Sequence, residues 1–271
     1  MNRPAAPRRR LLALPAQDGA PVVIDMAIDG DDHAPALVLL PSSLRDSLDC
    51  DDVATALAGH GWRVLRPQPR GMAGSHGPMA GLSLHRLARD VLEAADAVGA
   101  QRLVLAGHAF GHFVARVAAQ AQPQRVRGVA LLAAAAREFP PGLAAALDTA
   151  ADALQPRALR LQALRQAFFA PGHAADAWLQ GWYPQWRAHY RAAGSQPPKP
   201  TWWPVSPVPL LDLQAAQDPW RPPATRDELR AALGEALVTT ALIDDASHAL
   251  LPEQPQAVAE AVHRWARCLP A

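Results

Sequence analysis

Residues 107–112 read "GHAFGH", set between the apolar run "RLVLA" (102–106) and "FVARVAAQAQ" (113–122). A short continuous apolar run reads as a strand covered on both faces, and the segment that follows reads as a helix. The turn between them is flanked by Gly107 and Gly111, which leave room for a sharp change of direction. Such a turn projects its middle residue above the sheet. Here that residue is Ala109, which carries a methyl group and no nucleophilic atom.

Outward from this turn the pattern repeats. "RLLALPA" (10–16) and "PVVIDMAI" (21–28) predict a hairpin across "QDGA". "ALVLLP" (36–41), "WRVLRP" (62–67), "GVALLAA" (128–134), "VPLLDLQAA" (208–216) and "ALVTTALI" (236–243) predict further strands. Helices are expected over 52–61, ended by Gly61, over 84–98, capped by Ser83, near 225–234 and near 254–267. Strands alternating with helices through short connections predict an α/β fold with a mostly parallel sheet flanked by helices.

The alternation breaks over about 137–206, a stretch rich in Ala, Gln, Arg and Pro with helical patches at 142–154 and 156–168. This is too long for a plain connection. The expected division is a core of residues 1–136 and 207–271 with a helical cap inserted at 137–206. Five of the eight tryptophans fall in the insertion: Trp178, Trp182, Trp186, Trp202 and Trp203. They either pack the insertion onto the core or a second subunit, or wall a pocket for an apolar substrate. Trp178, Trp182 and Trp186 are spaced by four, although Pro184 argues against one unbroken helix.

The chain has 271 residues, half of them hydrophobic, and a net charge of +1. A sizeable core can form, and nothing in the balance points to nucleic acid or an acidic partner. Cys50 and Cys268 lie far apart and read as reduced thiols, which suggests the cytoplasm. The "PRRRLLALPA" start has too short an apolar stretch for a secretory signal, and reads as a basic tail before an edge strand. No run approaches a membrane span. His76, His85, His173 and His189 lack metal-ligand spacing and are expected at the surface. No metal or other cofactor is expected. The implied partner is a small-molecule substrate, and a homodimer is compatible with the tryptophan-rich segment.

Three segments line up in order: "GHAFGH" (107–112), "QDPWRPP" (217–223) after an apolar strand, and "ASHALLPEQPQAV" (246–258) after the last strand. With "LVLLPSS" (37–43) and "RPQPRGMAGSHGP" (66–78), they resemble the α/β-hydrolase fold over nearly the whole chain. There a nucleophile on a strand-to-helix elbow, an acid and a histidine follow in this sequence. The resemblance puts Ala109 at the nucleophile position, Asp218 at the acid and His248 at the histidine. It implies oxyanion donors from the amides of Phe110 and Ser43, with Ser42 next to them. Trp178 and Trp182 are the candidate substrate-binding aromatics. Asp212, Asp244 and Asp245 are weaker acid candidates. His108 is expected to support the elbow and His112 to pack beneath it.

Alanine in place of the G-x-S-x-G serine is a feature in which the chain is similar to the aminoacrylate hydrolases. Three readings stay open. The chain could be an enzyme in which a His248–Asp218 pair acts as general base on water or substrate, hydrolysing a small, largely apolar activated carbonyl compound. It could be an inactive serine-to-alanine variant of an esterase- or lactonase-type serine hydrolase. Or it could be a ligand-binding protein or a cofactor-free lyase on the same fold. All three lack covalent acyl transfer at position 109.

Overall fold

The computed structural model describes residues 6–270. The first five residues of the basic start therefore lie outside the described residues. The chain opens with β1 (Arg8–Gln17) and β2 (Ala20–Asp29), an antiparallel hairpin. Asp18 and Gly19 form its two-residue turn with φ of 50° and 74°. Two left-handed residues give the turn a twist that matches the flanking strands, and Asp-Gly is the pair that tolerates it best.

Six more strands follow: β3 (Ala36–Leu40), β4 (Arg63–Pro67), β5 (Leu103–His108), β6 (Val126–Leu132), β7 (Leu210–Ala215) and β8 (Val238–Ile243). The sheet order is β1-β2-β4-β3-β5-β6-β7-β8. From β4 to β8 every neighbouring pair is parallel.

Alternation along the inner strands builds two cores. Leu37 and Leu39 of β3 pack with Val104 and Leu211 under α1 (Asp51–Gly59) and the last helix, α9 (Pro255–Arg267). Val38 and Leu40 face the other way and pack under α2 (Leu84–Ala97) and α3 (Phe110–Ala121). Both faces are covered, which is why these strands read as continuous apolar runs. Ser83 accepts from the Arg86 amide at 3.3 Å and caps α2. Ser83→Ala is expected to lower stability by about 1 kcal/mol, read as a small drop in the urea midpoint at unchanged m-value.

Between β6 and β7 lie α4 (Leu143–Ala151), α5 (Arg157–Ala167) and α6 (Arg187–Ala193), with single 3-10 turns around them. Trp178 and Trp186 sit on two separate turns, Ala175–Leu179 and Pro184–Trp186, and Trp182 lies between them, so the three do not share a helix face. Leu143, Leu161, Leu164 and Phe168 form a third core that also takes in Trp220 and Ala249. Those last two residues belong to the loops carrying Asp218 and His248. The remaining helices, α7 (Glu228–Leu233) and α8 (Leu250–Glu253), flank β8.

Candidate active site

Ala109 stands alone between the end of β5 and the start of α3, with φ 44° and ψ −115°. An alanine in this region carries strain of about 1–3 kcal/mol, so the surroundings must hold it there. Its amide donates to Leu132 O at 3.0 Å and its carbonyl accepts from the His112 amide at 3.0 Å. The two glycines are required by close approach. A Cβ on Gly107 would lie 2.4 Å from the Gly111 carbonyl carbon, and one on Gly111 would lie 2.6 Å from Leu40 O. The backbone of α3 thus presses directly onto β3 and β5, and the turn has no room to relax.

Asp218 and His248 are brought together from loops after β7 and β8. His248 Nδ1 donates to Asp218 Oδ2 at 2.9 Å, with the two side chains 5 % and 0 % exposed. The other carboxylate oxygen accepts from the Trp220 amide at 2.8 Å. Trp220 in turn stacks on the imidazole, 5.1 Å between centroids. With Nδ1 committed to the carboxylate, Nε2 is the nitrogen left over, and it has no protein partner among the described residues.

Two further residues fix the histidine loop. His108 Nε2 donates to the His248 carbonyl at 2.7 Å and so ties the end of β5 to this loop. Burial pushes the His108 imidazole down to about 3, so it stays neutral in that role. Glu253 accepts from the amides of Ser247 and Ala170, both at 2.6 Å. It thereby joins the residue before His248 to the insertion, and burial pushes its carboxyl upward. Sequence reasoning passed over Glu253, although a lone acid in the apolar loop after His248 was visible. Asp212, a weaker acid candidate, is instead paired with Arg221 at 2.8 Å. Asp245 lies beside His173.

The loop after β3 supplies the other side of the site. Ser42 is buried, Ser43 is half-buried, and Leu44 has φ 58°. Among the described residues neither the Ser43 amide nor the Phe110 amide finds a protein acceptor. Leu44 O accepts from the Tyr183 amide at 3.0 Å, and the Tyr183 hydroxyl donates to Asp46 at 2.9 Å. Arg45 pairs with Asp49, and its guanidinium lies 4.3 Å from the Trp178 ring centroid and 4.6 Å from that of Trp182. Trp178 and Trp182, the candidate substrate-binding aromatics, are not among the residues that line the cavity over the site. Both are engaged in gripping Arg45, which attaches the Ser42–Ser43 loop to the insertion.

The open cavity over this region has a volume of 390 Å³ and is lined by Ser43, Phe110, Phe139, Tyr190, Trp202 and Trp220, among others. Trp202 is therefore the tryptophan of the insertion that reaches it. Ala109 and His248 do not form its wall directly. Their neighbours do, since Phe110 follows Ala109 and Trp220 stacks on His248. A second chamber of 40 Å³ lies behind Phe110 and Tyr190, bounded by Leu40, Ser42 and Gly111. Among the described residues no His, Cys, Asp and Glu cluster could hold a metal ion, and no helix is long and apolar enough to cross a membrane. Cys50 is buried, Cys268 is exposed, and both are free thiols.

Known proteins share this fold. The family model for the alpha/beta hydrolase fold matches residues 35–159. Epoxide hydrolase A of Mycobacterium tuberculosis (strain ATCC 25618 / H37Rv) is 35% identical over 105 residues, 38% of this chain and 33% of that protein. The chain thus spans about a third of the length of this curated relative. A thermophilic esterase from Thermogutta terrifontis superposes with a TM-score of 0.78 at 19% identity, over 96% of this chain and 98% of its own. A hydrolase from Pseudomonas aeruginosa PA01 superposes with a TM-score of 0.72 at 25% identity, over 95% and 98%. The superpositions run along nearly the full length, and the chain has the α/β-hydrolase fold.

Proposed function

We propose that the chain hydrolyses a small, largely apolar, activated carbonyl compound by general-base chemistry at His248. The observation that carries this reading is the buried Asp218–His248 hydrogen bond with Nε2 left free. Asp218 fixes the tautomer and stabilises the imidazolium that forms. His248 takes a proton from water or from the substrate, and the amides of Phe110 and Ser43 receive the charge that develops on the carbonyl oxygen. Positioned proton transfer contributes about 10²–10⁴-fold, and an oxyanion donor about 10²–10³-fold. Without a nucleophile at position 109 these terms suit an enamine, a reactive ester or a β-diketone better than an amide.

Residues 137–206 act as the cap over the core of 1–136 and 207–271. The apolar character of the substrate rests on Phe110, Phe139, Trp202 and Trp220 in the cavity wall. Hydrolysis as the reaction class is in keeping with the epoxide hydrolase and the esterase that the chain resembles. One observation favours a second reading, an inactive serine-to-alanine variant. Ala109 sits in a strained turn from which its methyl group gains nothing, whereas a hydroxyl there would.

The test is the pH dependence of kcat/KM over a panel of activated esters and enamines. The parent is expected to show an ionisation that vanishes in His248→Ala, with a parallel fall in kcat for Asp218→Asn. Ligand binding without turnover, equal in parent and His248→Ala, would replace this reading with a binding function.

A further inference from the structure

The loop that carries the Ser43 amide is anchored to the core only at its two ends. At the first, the Pro41 carbonyl lies against α3, where a Cβ on Gly111 would come 2.7 Å from its oxygen. At the second, the Ser47 amide donates to Gln68 Oε1 at 2.8 Å and Arg66 Nη1 donates to Ser47 O at 3.0 Å. Between these anchors, among the described residues, every hydrogen bond from residues 42–46 to another element goes to residues 180–183 of the insertion. The Tyr183 amide donates to Leu44 O at 3.0 Å, Arg45 Nη1 donates to Gln180 O at 3.0 Å, and the Tyr183 hydroxyl donates to Asp46 at 2.9 Å. Arg45 and Trp182 also form an isolated antiparallel bridge.

The middle of this span is strained. Leu44 has φ 58°, a left-handed conformation that leucine adopts at a cost and keeps only where its surroundings enforce it. The insertion provides that enforcement. Tyr183 fixes the Leu44 carbonyl, and the next residue, Arg45, is buried against the Trp178 and Trp182 rings while it forks onto Asp49. Gly181 stands so near that a Cβ on it would lie 3.1 Å from Arg45 Nη2. Ser43 directly precedes the strained residue, and both ends of the loop are fixed. Any relaxation of Leu44 is therefore absorbed within residues 42–46, where the Ser43 amide sits. An oxyanion donor has to lie about 2.7–3.1 Å from the oxygen it serves, so a small redirection removes it.

The same part of the insertion reaches the opposite side of the site. Phe168 O accepts from the Ala249 amide at 2.7 Å, and the Ala170 amide donates to Glu253 at 2.6 Å. Trp178 stands between the two sides, its ring 5.5 Å from that of Phe168 and 6.3 Å from that of His108. Residues 168–183 thus tie the loop of His248 to the loop of Ser43.

We infer that Arg45 and Tyr183 are positioning residues through which the insertion holds Leu44 left-handed and aims the Ser43 amide at the substrate oxygen. Docking of the insertion and assembly of the oxyanion site are then one event. The inference deepens the general-base reading and rests on it for the role of Ser43.

The test has two arms. In the parent chain, amide proton–nitrogen correlation spectra follow Ser43 and Phe110 in Arg45→Met and in Tyr183→Phe. The Ser43 resonance is expected to shift or broaden in both variants, and that of Phe110, held by α3, to stay in place. Tyr183→Phe removes a single hydroxyl and serves where Arg45→Met does not fold. The second arm places the same substitutions in the Ala109→Ser background and measures turnover of a p-nitrophenyl ester. Arg45→Met is expected to lower kcat by about 10–10²-fold with KM changed less than about twofold, and Tyr183→Phe to do so more weakly. Ser83→Ala, remote from the site, controls for a general loss of stability. A Ser43 resonance that stays put in both variants overturns the proposal, with or without turnover. So does a kcat that falls in neither variant beyond the Ser83→Ala control. A displaced Ser43 resonance, in a chain whose Ala109→Ser form turns nothing over, supports the placing of the amide and counts against the general-base reading instead.

Discussion

Ala109→Ser is expected to raise the hydrolysis of a small p-nitrophenyl ester by about 10³-fold or more over the parent chain. The argument is geometric. The backbone already holds the turn at φ 44° and ψ −115°, so serine inherits the strain that alanine bears and introduces no new one. The histidine needs no rearrangement either. Its Nδ1 is bound to Asp218 at 2.9 Å, the Asp218 side chain is fully buried, and Nε2 has no competing partner. A hydroxyl at position 109 therefore gains an oriented general base and becomes a nucleophile. The oxyanion donors are backbone amides of Phe110 and Ser43 and do not depend on the side chain that changes.

The informative comparison has three arms: the parent, Ala109→Ser, and Ala109→Ser with His248→Ala, each assayed on the same esters. A burst of p-nitrophenol equal to the enzyme concentration in the second arm, lost in the third, marks an acyl-enzyme. If the serine variant gains nothing across several esters, the Asp218–His248 pair does not serve position 109. The general-base proposal would then fall with it. A large gain with an inert parent would favour the serine-to-alanine reading over a natural alanine enzyme.

The strands were legible because the sheet is covered on both faces, so each inner strand is a short apolar run bounded by turn residues. The elbow was legible for a steric reason, since Gly107 and Gly111 have no room for a Cβ. Asp218 and His248 could be singled out because each follows a strand end in a fixed order. The insertion resisted the same reasoning. Its tryptophans look alike in sequence, yet Trp202 lines the cavity while Trp178 and Trp182 hold Arg45. Helical spacing was no guide there, because Pro184, as its position in the sequence suggested, and the 3-10 turns put Trp178, Trp182 and Trp186 on separate pieces of backbone. Partners distant in sequence were also invisible. Nothing local announces that Glu253 binds the Ala170 amide, or that Arg45 of one loop meets Trp178 of another segment.

Arg221→Met is expected to destabilise the chain by about 3–5 kcal/mol, the usual cost of leaving half of a buried ion pair without its partner. Arg221 stands three residues after Asp218 and is 2 % exposed. It donates to Asp212 at 2.8 Å and to the carbonyls of Thr225 and Arg226 at 3.1 and 3.2 Å. It therefore fixes the loop that carries Asp218 and Trp220. Methionine fills much of the same space but leaves the fully buried Asp212 carboxylate with Gln214 as its remaining side-chain donor, at 2.8 Å. Burial already pushes the Asp212 carboxyl upward against the pull of Arg221, and without that pull it rises further. A carboxyl raised in the folded state contributes stability that is present below its unfolded pKa and lost as pH rises through the folded one. The variant's deficit is therefore expected to be smallest in acid and to widen towards neutral pH. Urea midpoints of parent and variant across that range test this, and a deficit that grows on acidification would show that Asp212 is not the cause. Asp212→Asn added to Arg221→Met removes the stranded charge and is expected to recover most of the loss. In the Ala109→Ser background, Arg221→Met is also expected to lower kcat more than it changes KM, because the loop it loosens orients His248 rather than the ester.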